Sequence, residues 1–467
     1  MKDLELNGKL LHLYRRVALC AIPEKNISLH RSIDKLFEDS ERFQPIKIPA
    51  ISDQSQPAEM LMENRVSEAA KKEMKQVERG RLRDLNTGWI GMMASGDGVL
   101  RERMSLFWHG HFACRSVIPV FVESYINTIR KHSLGNFREM LMAVSKEPAM
   151  LQFLNNQQNR KNSPNENFAR EVMELFTMGR GKYSETDVKE GARSFTGWAF
   201  NAKGAFQFRE RTHDTGVKDF LGQQGAFTGE DIIRILLSRK ETAVFITGKI
   251  YRALVSEVPD QKRIDKLAEG FYNSNYDISQ LLLKIFKSDW FYDSSVRNAL
   301  IKSPVELLVG IQRTVGASFN NSQAIFFIQK ALGQVLFNPP NVAGWPGGKN
   351  WIDSSSLLFR MQLPALMFGG AEASVKIKES GDDNDPFGTR RGKNFKVEAN
   401  WSNWAAKFEK TSSEKLPMAI AFQLLAKLPN EEVMKLIGQK ATLEADRVQT
   451  IRQITQAIMS LPEYQVA

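Results

Sequence analysis

Two cysteines in 467 residues, Cys20 and Cys114, are too few for a disulfide framework or for a multi-cysteine zinc or iron–sulfur centre within one chain. No run of eighteen apolar residues occurs, so no membrane-spanning helix is expected. A GxSxG elbow, a Walker loop, a GxGxxG fingerprint and an HExxH helix are also missing, which disfavours the α/β-hydrolase, P-loop, Rossmann and zincin readings. Lys and Arg outnumber Asp and Glu by 64 to 53, for a net charge of +11, which suits anionic partners in general. The basic residues are scattered, however, and no arginine-rich arm, zinc finger or aromatic RNA-binding signature is present, so nucleic acid is not supported as a partner.

What is present is mostly helix-forming sequence. Residues 58–83 are rich in strong helix formers and end in basic residues that suit a helix C-terminus. Residues 98–134 predict one helix through Met104, Trp108 and Phe112 and a second through Val120, Tyr125 and Ile129. Residues 228–238 open with Thr228 and Asp231 in a capping-box pattern, and further helices fit 241–255, 261–272, 278–287, 303–315 and 322–334. Two stretches interrupt the pattern. Residues 198–212 carry an NAKG turn followed by alternating Phe206 and Phe208, which predicts a short hairpin. Residues 338–350, NPPNVAGWPGGKN, require a loop of fixed shape, after which Asp353 or Ser354 can cap a helix. The expected fold class is therefore mainly α, a multi-helix globular protein with one small β-hairpin.

The apolar periodicity fades at 369–400 and returns as amphipathic helices over 401–467. The expected organisation is a main helical domain over 1–368, a linker or mobile insertion over 369–400, and a C-terminal helical segment, 401–467, packed on the main domain. The first 26 residues lack a basic region followed by an uninterrupted apolar core and read as an amphipathic helix, not a signal peptide. A native start would make the protein cytoplasmic; a trimmed leader would make it exported.

Ionisable residues concentrate in Ser163–Trp198. Ser163, Pro164 and Glu166 fit an N-cap, a first helical position and a capping box. Phe168, Val172, Leu175 and Phe176 share one helix face, with Glu171 at its margin and Glu174 on the adjoining surface. Such an i, i+3 carboxylate pair can hold a metal or serve as an acid/base pair; the plainer alternative is ion pairing with Arg170 and Arg193. A second helix opens at Ser184 with Asp187 as its capping partner, and Glu190 and Arg193 suit an intrahelical surface pair.

Only six histidines occur, so their positions are informative. His109 and His111 lie in SLFWHGHFACR, and on a continuous helix they point roughly 200° apart. Gly110 between them offers a way to open the helix and bring both rings to one site. His213 and Asp214 adjoin in a loop, as a metal-ligating or oriented-base pair, or as a turn in which Asp214 bonds the backbone of Gly216. Asn338, Asn341, Trp345 and Trp351 in the proline- and glycine-rich loop suit a sugar or another ring-bearing ligand, or else form a rigid plug.

Taken together, RERMSLFWHGHFA (101–113), residues 132–198, HDTGVKDFLGQQG (213–225), FNPPNVAGWPGGKNWI (337–352) and the closing SLPEYQ resemble the bacterial family called domain of unknown function 1800. The resemblance spans nearly the whole chain. It implies a mainly α-helical bacterial protein, often encoded beside a partner of the domain of unknown function 1501 type, which is similar to alkaline-phosphatase-type hydrolases. It also implies export for many members, and this chain departs there by beginning without a leader. No reaction comes with the family.

Residue chemistry supplies the expected site, between the His109–His111 helix, the Glu171/Glu174 helix and the His213–Asp214 loop. His109, His111, His213 and Asp214 would bind a divalent metal, the expected cofactor, with Glu171 or Glu174 as general base and Arg170 and Arg193 holding an anionic or sugar-like substrate for hydrolysis. The alternatives are a non-enzymatic helical scaffold for the neighbouring hydrolase-like partner and a glycan-binding protein using Trp345 and Trp351.

Overall fold

The computed structural model describes residues 2–24, 26–48, 68–369, 397–441 and 446–467. Among them the chain is mainly helical, with twenty α-helices and three two-stranded antiparallel ladders. None of these helices is long and apolar enough to cross a membrane.

The expected hairpin forms between Trp198–Phe200 and Phe206–Phe208, with Trp198 opposite Phe208. Two ladders were not expected. Lys218–Phe220 pairs with Gln223–Gly225 around Leu221 and Gly222, both at positive φ as a tight primed turn requires. Its strands carry neither β-branched residues nor a clean alternation. The third, Ser318–Phe319 with Val397–Glu398, joins residues far apart in the chain and has no local signal.

Helix ends follow their caps where these are strong. Ser184 with Asp187, Thr228 with Asp231, and Ser303 with Glu306 all close capping boxes, and Asp353 caps the Ser354–Phe368 helix. The expected Ser163–Glu166 box does not form. Ser163 is held in a turn by its N–H donating to the Arg160 carbonyl at 2.8 Å, the Asn165 N–H donates to the Asn159 side chain, and the helix begins at Asn167. The helix expected over 58–83 runs instead over Glu68–Ser95. It continues past its basic cluster because Leu85, Trp89, Ile90 and Met93 are buried. The remainder of that expectation, and the linker expected over 369–400 apart from Gly369 and 397–400, lie outside the described residues.

The middle of the fold is the Val99–His111 helix, most of which is buried. Its charged residues survive burial because each has a partner. Glu102 accepts hydrogen bonds from Nε and Nη2 of Arg130 and one from the Trp89 indole at 2.7 Å. Arg101 donates to the carbonyls of Ser40 and Arg130. The last residues return to this core, with the Ala467 N–H donating to the Leu300 carbonyl at 2.9 Å.

Candidate functional site

Gly110 does not open its helix. The backbone runs continuously to His111, so His109 and His111 face opposite ways. The close approach at this point is made by another glycine, and a Cβ on Gly110 itself would meet nothing within 4 Å. Gly344, at φ +84°, approaches so closely that a Cβ there would lie 2.4 Å from the Gly110 carbonyl oxygen. The loop 338–350 is thereby docked against the central helix, and Gly348 presses on the Glu257 carboxylate in the same fashion.

His109 is enclosed by aromatic rings, with Trp345 at 5.2 Å, Phe337 at 5.3 Å and Trp89 at 5.5 Å between centroids. Its Nε2 accepts the Phe337 N–H at 3.1 Å, and burial pushes its pKa down to about 3. His109 is a neutral pin holding the loop in place. His111 faces the other way, where its Nδ1 is 3.2 Å from the Lys249 ammonium. Burial, then the Lys249 charge, keep it well below the usual imidazole range.

Beside His111 opens a cavity of about 520 Å³, within the size range of small-molecule sites. Trp345 and Trp351 from the docked loop form part of its wall. Six basic side chains line it, Arg15, Arg16, Arg103, Lys249, Arg252 and Lys302, against the carboxylates Glu257 and Glu306. Most of these cations are oriented by neutral carbonyl groups. Arg15 donates to the carbonyls of Phe422 and Gln423, Arg16 to Val296, Arg103 to Arg16 and Ala253, and Lys302 to Tyr464. Among the described residues these cations make one ion pair, Arg103 Nε to Glu306 at 2.8 Å. Arg16 is 2 % exposed, and its Nε and Nη1 have no partner among the described residues. Burial is the largest cause pushing its pKa down, to about 9, so it still carries its charge at neutral pH.

The expected catalytic residues lie outside this cavity wall. Arg170 is held by Glu185 at 2.8 Å and Glu166 at 3.2 Å. Arg193 is held by Glu190 and Asp214, both at 2.7 Å. Both arginines, expected to hold substrate, are thus paired with carboxylates of the fold. Glu174 accepts from the Tyr183 hydroxyl and from Arg180 at 2.9 Å, and the tyrosine hydrogen bond leads in lowering its pKa. Glu171 is half-buried, and burial, then Glu174, raise its pKa. After Glu171 the helix widens into a π-helical turn, Val172–Thr177, and through it the block reaches the cavity, where the Leu175 carbonyl accepts from Lys249 at 3.3 Å.

Nor are the four expected metal ligands brought together. His109 is in its aromatic cage, His111 is at the cavity, His213 Nδ1 bonds the Thr196 carbonyl at 2.8 Å, and Asp214 accepts the Gly216 N–H at 2.8 Å while pairing Arg193. Among the described residues no group of three or more His, Cys, Asp or Glu is placed to hold a metal ion. Of the loop residues, Trp345 and Trp351 line the cavity; Asn341 instead accepts the Ala343 N–H at 2.9 Å, shaping the turn, and Asn338 lies outside the wall. The cavity cations had no sequence signature because they come from separate segments of the chain.

The fold and site define a mainly helical protein carrying a cationic cavity, open to solvent on one side, with tryptophans in its wall. The chain belongs to the family described as protein of unknown function DUF1800, whose model matches residues 12–466. No curated protein and no solved structure matches it.

Proposed function

We propose that the protein binds an anionic, ring-bearing small molecule, such as a sugar phosphate, in the cavity between the central helix and the 338–350 loop. The observation that carries this reading is the surplus of positive side chains, with the buried donors of Arg16 left without partners. A buried cation that shares one carboxylate, Glu306, with several other cations is costly, and an incoming anion supplies further negative charge and the missing acceptors. Guanidinium groups fixed by carbonyls match the bidentate geometry of a phosphate or carboxylate. Trp345 and Trp351 offer flat apolar surface for a ring beside that charge.

Titration calorimetry with inorganic phosphate and glucose 6-phosphate tests the reading. Both are expected to bind, the sugar phosphate more tightly, with affinity falling as salt is added. Arg252 is exposed at the cavity rim, so Arg252→Gln is expected to keep the fold and weaken both ligands by about tenfold, the scale of one charge-assisted hydrogen bond. Absence of binding by either compound at millimolar concentration, or binding indifferent to Arg252→Gln, rules the reading out.

A further inference from the structure

The cavity holds one group that anion binding alone does not require. Lys249 lies on its wall, and its Nζ meets two neutral acceptors, His111 Nδ1 at 3.2 Å and the Leu175 carbonyl at 3.3 Å. The Phe245 ring covers the same ammonium, centroid 5.0 Å away. Phe245 can lie there because Gly179, at φ +84°, has no Cβ; one would come within 2.9 Å of the ring. Among the described residues no carboxylate pairs with Lys249. The other lysine of the cavity differs, since Lys302 is 3 % exposed, donates to the Tyr464 carbonyl at 2.6 Å and sits 3.7 Å from the centre of the Tyr464 ring.

We propose that Lys249 is a reactive amine that forms an imine with an anionic carbonyl compound, a phosphorylated aldehyde or ketone or a 2-oxo acid, whose charge is held by the neighbouring arginines. The inference rests on the anion-binding reading for its substrate class. The chemistry follows from the surroundings. An amine without a carboxylate partner, beside other cations and an apolar ring, is easier to deprotonate than a solvated one. Burial and then the Arg252 charge push Lys249 down to about 8, which leaves roughly a tenth of it neutral at pH 7. The ammonium releases one proton to water, and the nitrogen lone pair forms a C–N bond to the carbonyl carbon. The two remaining amine protons leave with the former carbonyl oxygen as water, giving a neutral imine. No oxidant or reductant is consumed.

The test is reductive trapping on the full-length chain. Pyridoxal 5′-phosphate supplies aldehyde and phosphate together, pyridoxal supplies the aldehyde alone, and borohydride fixes any imine for peptide mapping. Lys249 is expected to be labelled by the phosphorylated aldehyde at least tenfold faster than an exposed lysine such as Lys182. Inorganic phosphate is expected to protect it, and Lys249→Arg to remove that adduct while the fold is retained. Labelling of Lys249 no faster than Lys182, in protein that binds phosphate by calorimetry, overturns the amine proposal and leaves the anion site standing. Equal, phosphate-insensitive labelling by both aldehydes supports a reactive amine and overturns the anion site.

Discussion

Glu306 is the substitution at which stability and binding should move in opposite directions. Its carboxylate takes Arg103 at 2.8 Å through one oxygen and the Ser303 N–H at 2.8 Å through the other. It also faces the charges of Arg16, Lys302 and Arg360. Glu306→Gln keeps an oxygen for the helix cap and removes the carboxylate that, among the described residues, pairs with Arg103. With the side chains of Glu306 and Arg103 only 18 % and 8 % exposed, breaking the pair is expected to cost about 3–5 kcal/mol. Unfolding entropy near 2.1 cal/mol/K per residue gives roughly 1 kcal/mol/K for 467 residues unfolding together, so Tm should fall by about 3–5 °C. A bound anion about 6 Å from Glu306 would lose a repulsion of on the order of 2–3 kcal/mol at an effective dielectric constant near 20. Phosphate affinity should therefore rise by tens of fold, and saturating phosphate should restore much of the lost Tm. Calorimetric titration paired with a thermal melt reads both quantities. A folded Glu306→Gln protein that binds phosphate more weakly than the wild type would refute the reasoning, because the carboxylate would then be serving the ligand and not opposing it.

Trp345→Ala is expected to lower affinity for glucose 6-phosphate by about 0.5–1.5 kcal/mol, the worth of an aromatic contact, and to leave inorganic phosphate unchanged; the two titrations compared give the answer. Burial holds His109 at about 3 in the folded protein against an ordinary imidazole value of 6.5, so its contribution to stability is complete above about pH 6.5 and is lost as pH falls toward 3. Denaturant midpoints between about pH 6 and 4 should accordingly show a slope shallower by about 1.4 kcal/mol per pH unit in His109→Phe, and an unchanged slope would contradict its burial as a neutral ring. Arg193→Gln removes two partly exposed ion pairs and should cost no more than about 1 kcal/mol per pair, with phosphate affinity unaltered; a loss of affinity would return the anion site to the 163–198 block.

Local rules carried the fold further than the site. The capping boxes at Ser184 and Thr228 and the hairpin at 198–208 rest on residues a few positions apart, and these elements stand where the sequence places them. The box expected at Ser163 failed because Asn159, four residues before it, reaches across to the Asn165 N–H. The two unexpected ladders depend on a primed turn and on a long-range pairing, neither of which marks the hydrophobic pattern. For the site, Trp345 and Trp351 were legible because a loop with so many prolines and glycines must hold a shape, and they do reach the cavity. Arg16, Arg103, Lys249 and Lys302 were not, since only the tertiary fold gathers them. His109 misled for a physical reason. An imidazole can stand in for an aromatic ring that also accepts one backbone hydrogen bond, and in sequence that is indistinguishable from a ligand.

The 163–198 block and the cavity use the same residue types in opposed ways. In the block, Arg170 and Arg193 each meet two carboxylates, so their positive charge is spent inside the fold and their donors are occupied. In the cavity, Arg15, Arg16 and Lys302 are anchored by carbonyl oxygens of Phe422, Gln423, Val296 and Tyr464, which fix direction and leave the net charge in place. A carbonyl anchor costs the protein electrostatically, because a buried cation with only dipolar partners is poorly solvated. That arrangement is sensible where a counter-charge arrives from outside, and where the walls coming from residues 15, 103, 249 and 302 must already be assembled to receive it. The density of ionisable groups along the sequence therefore points to the block, whereas the unbalanced charge, which is what a ligand can use, lies in the cavity.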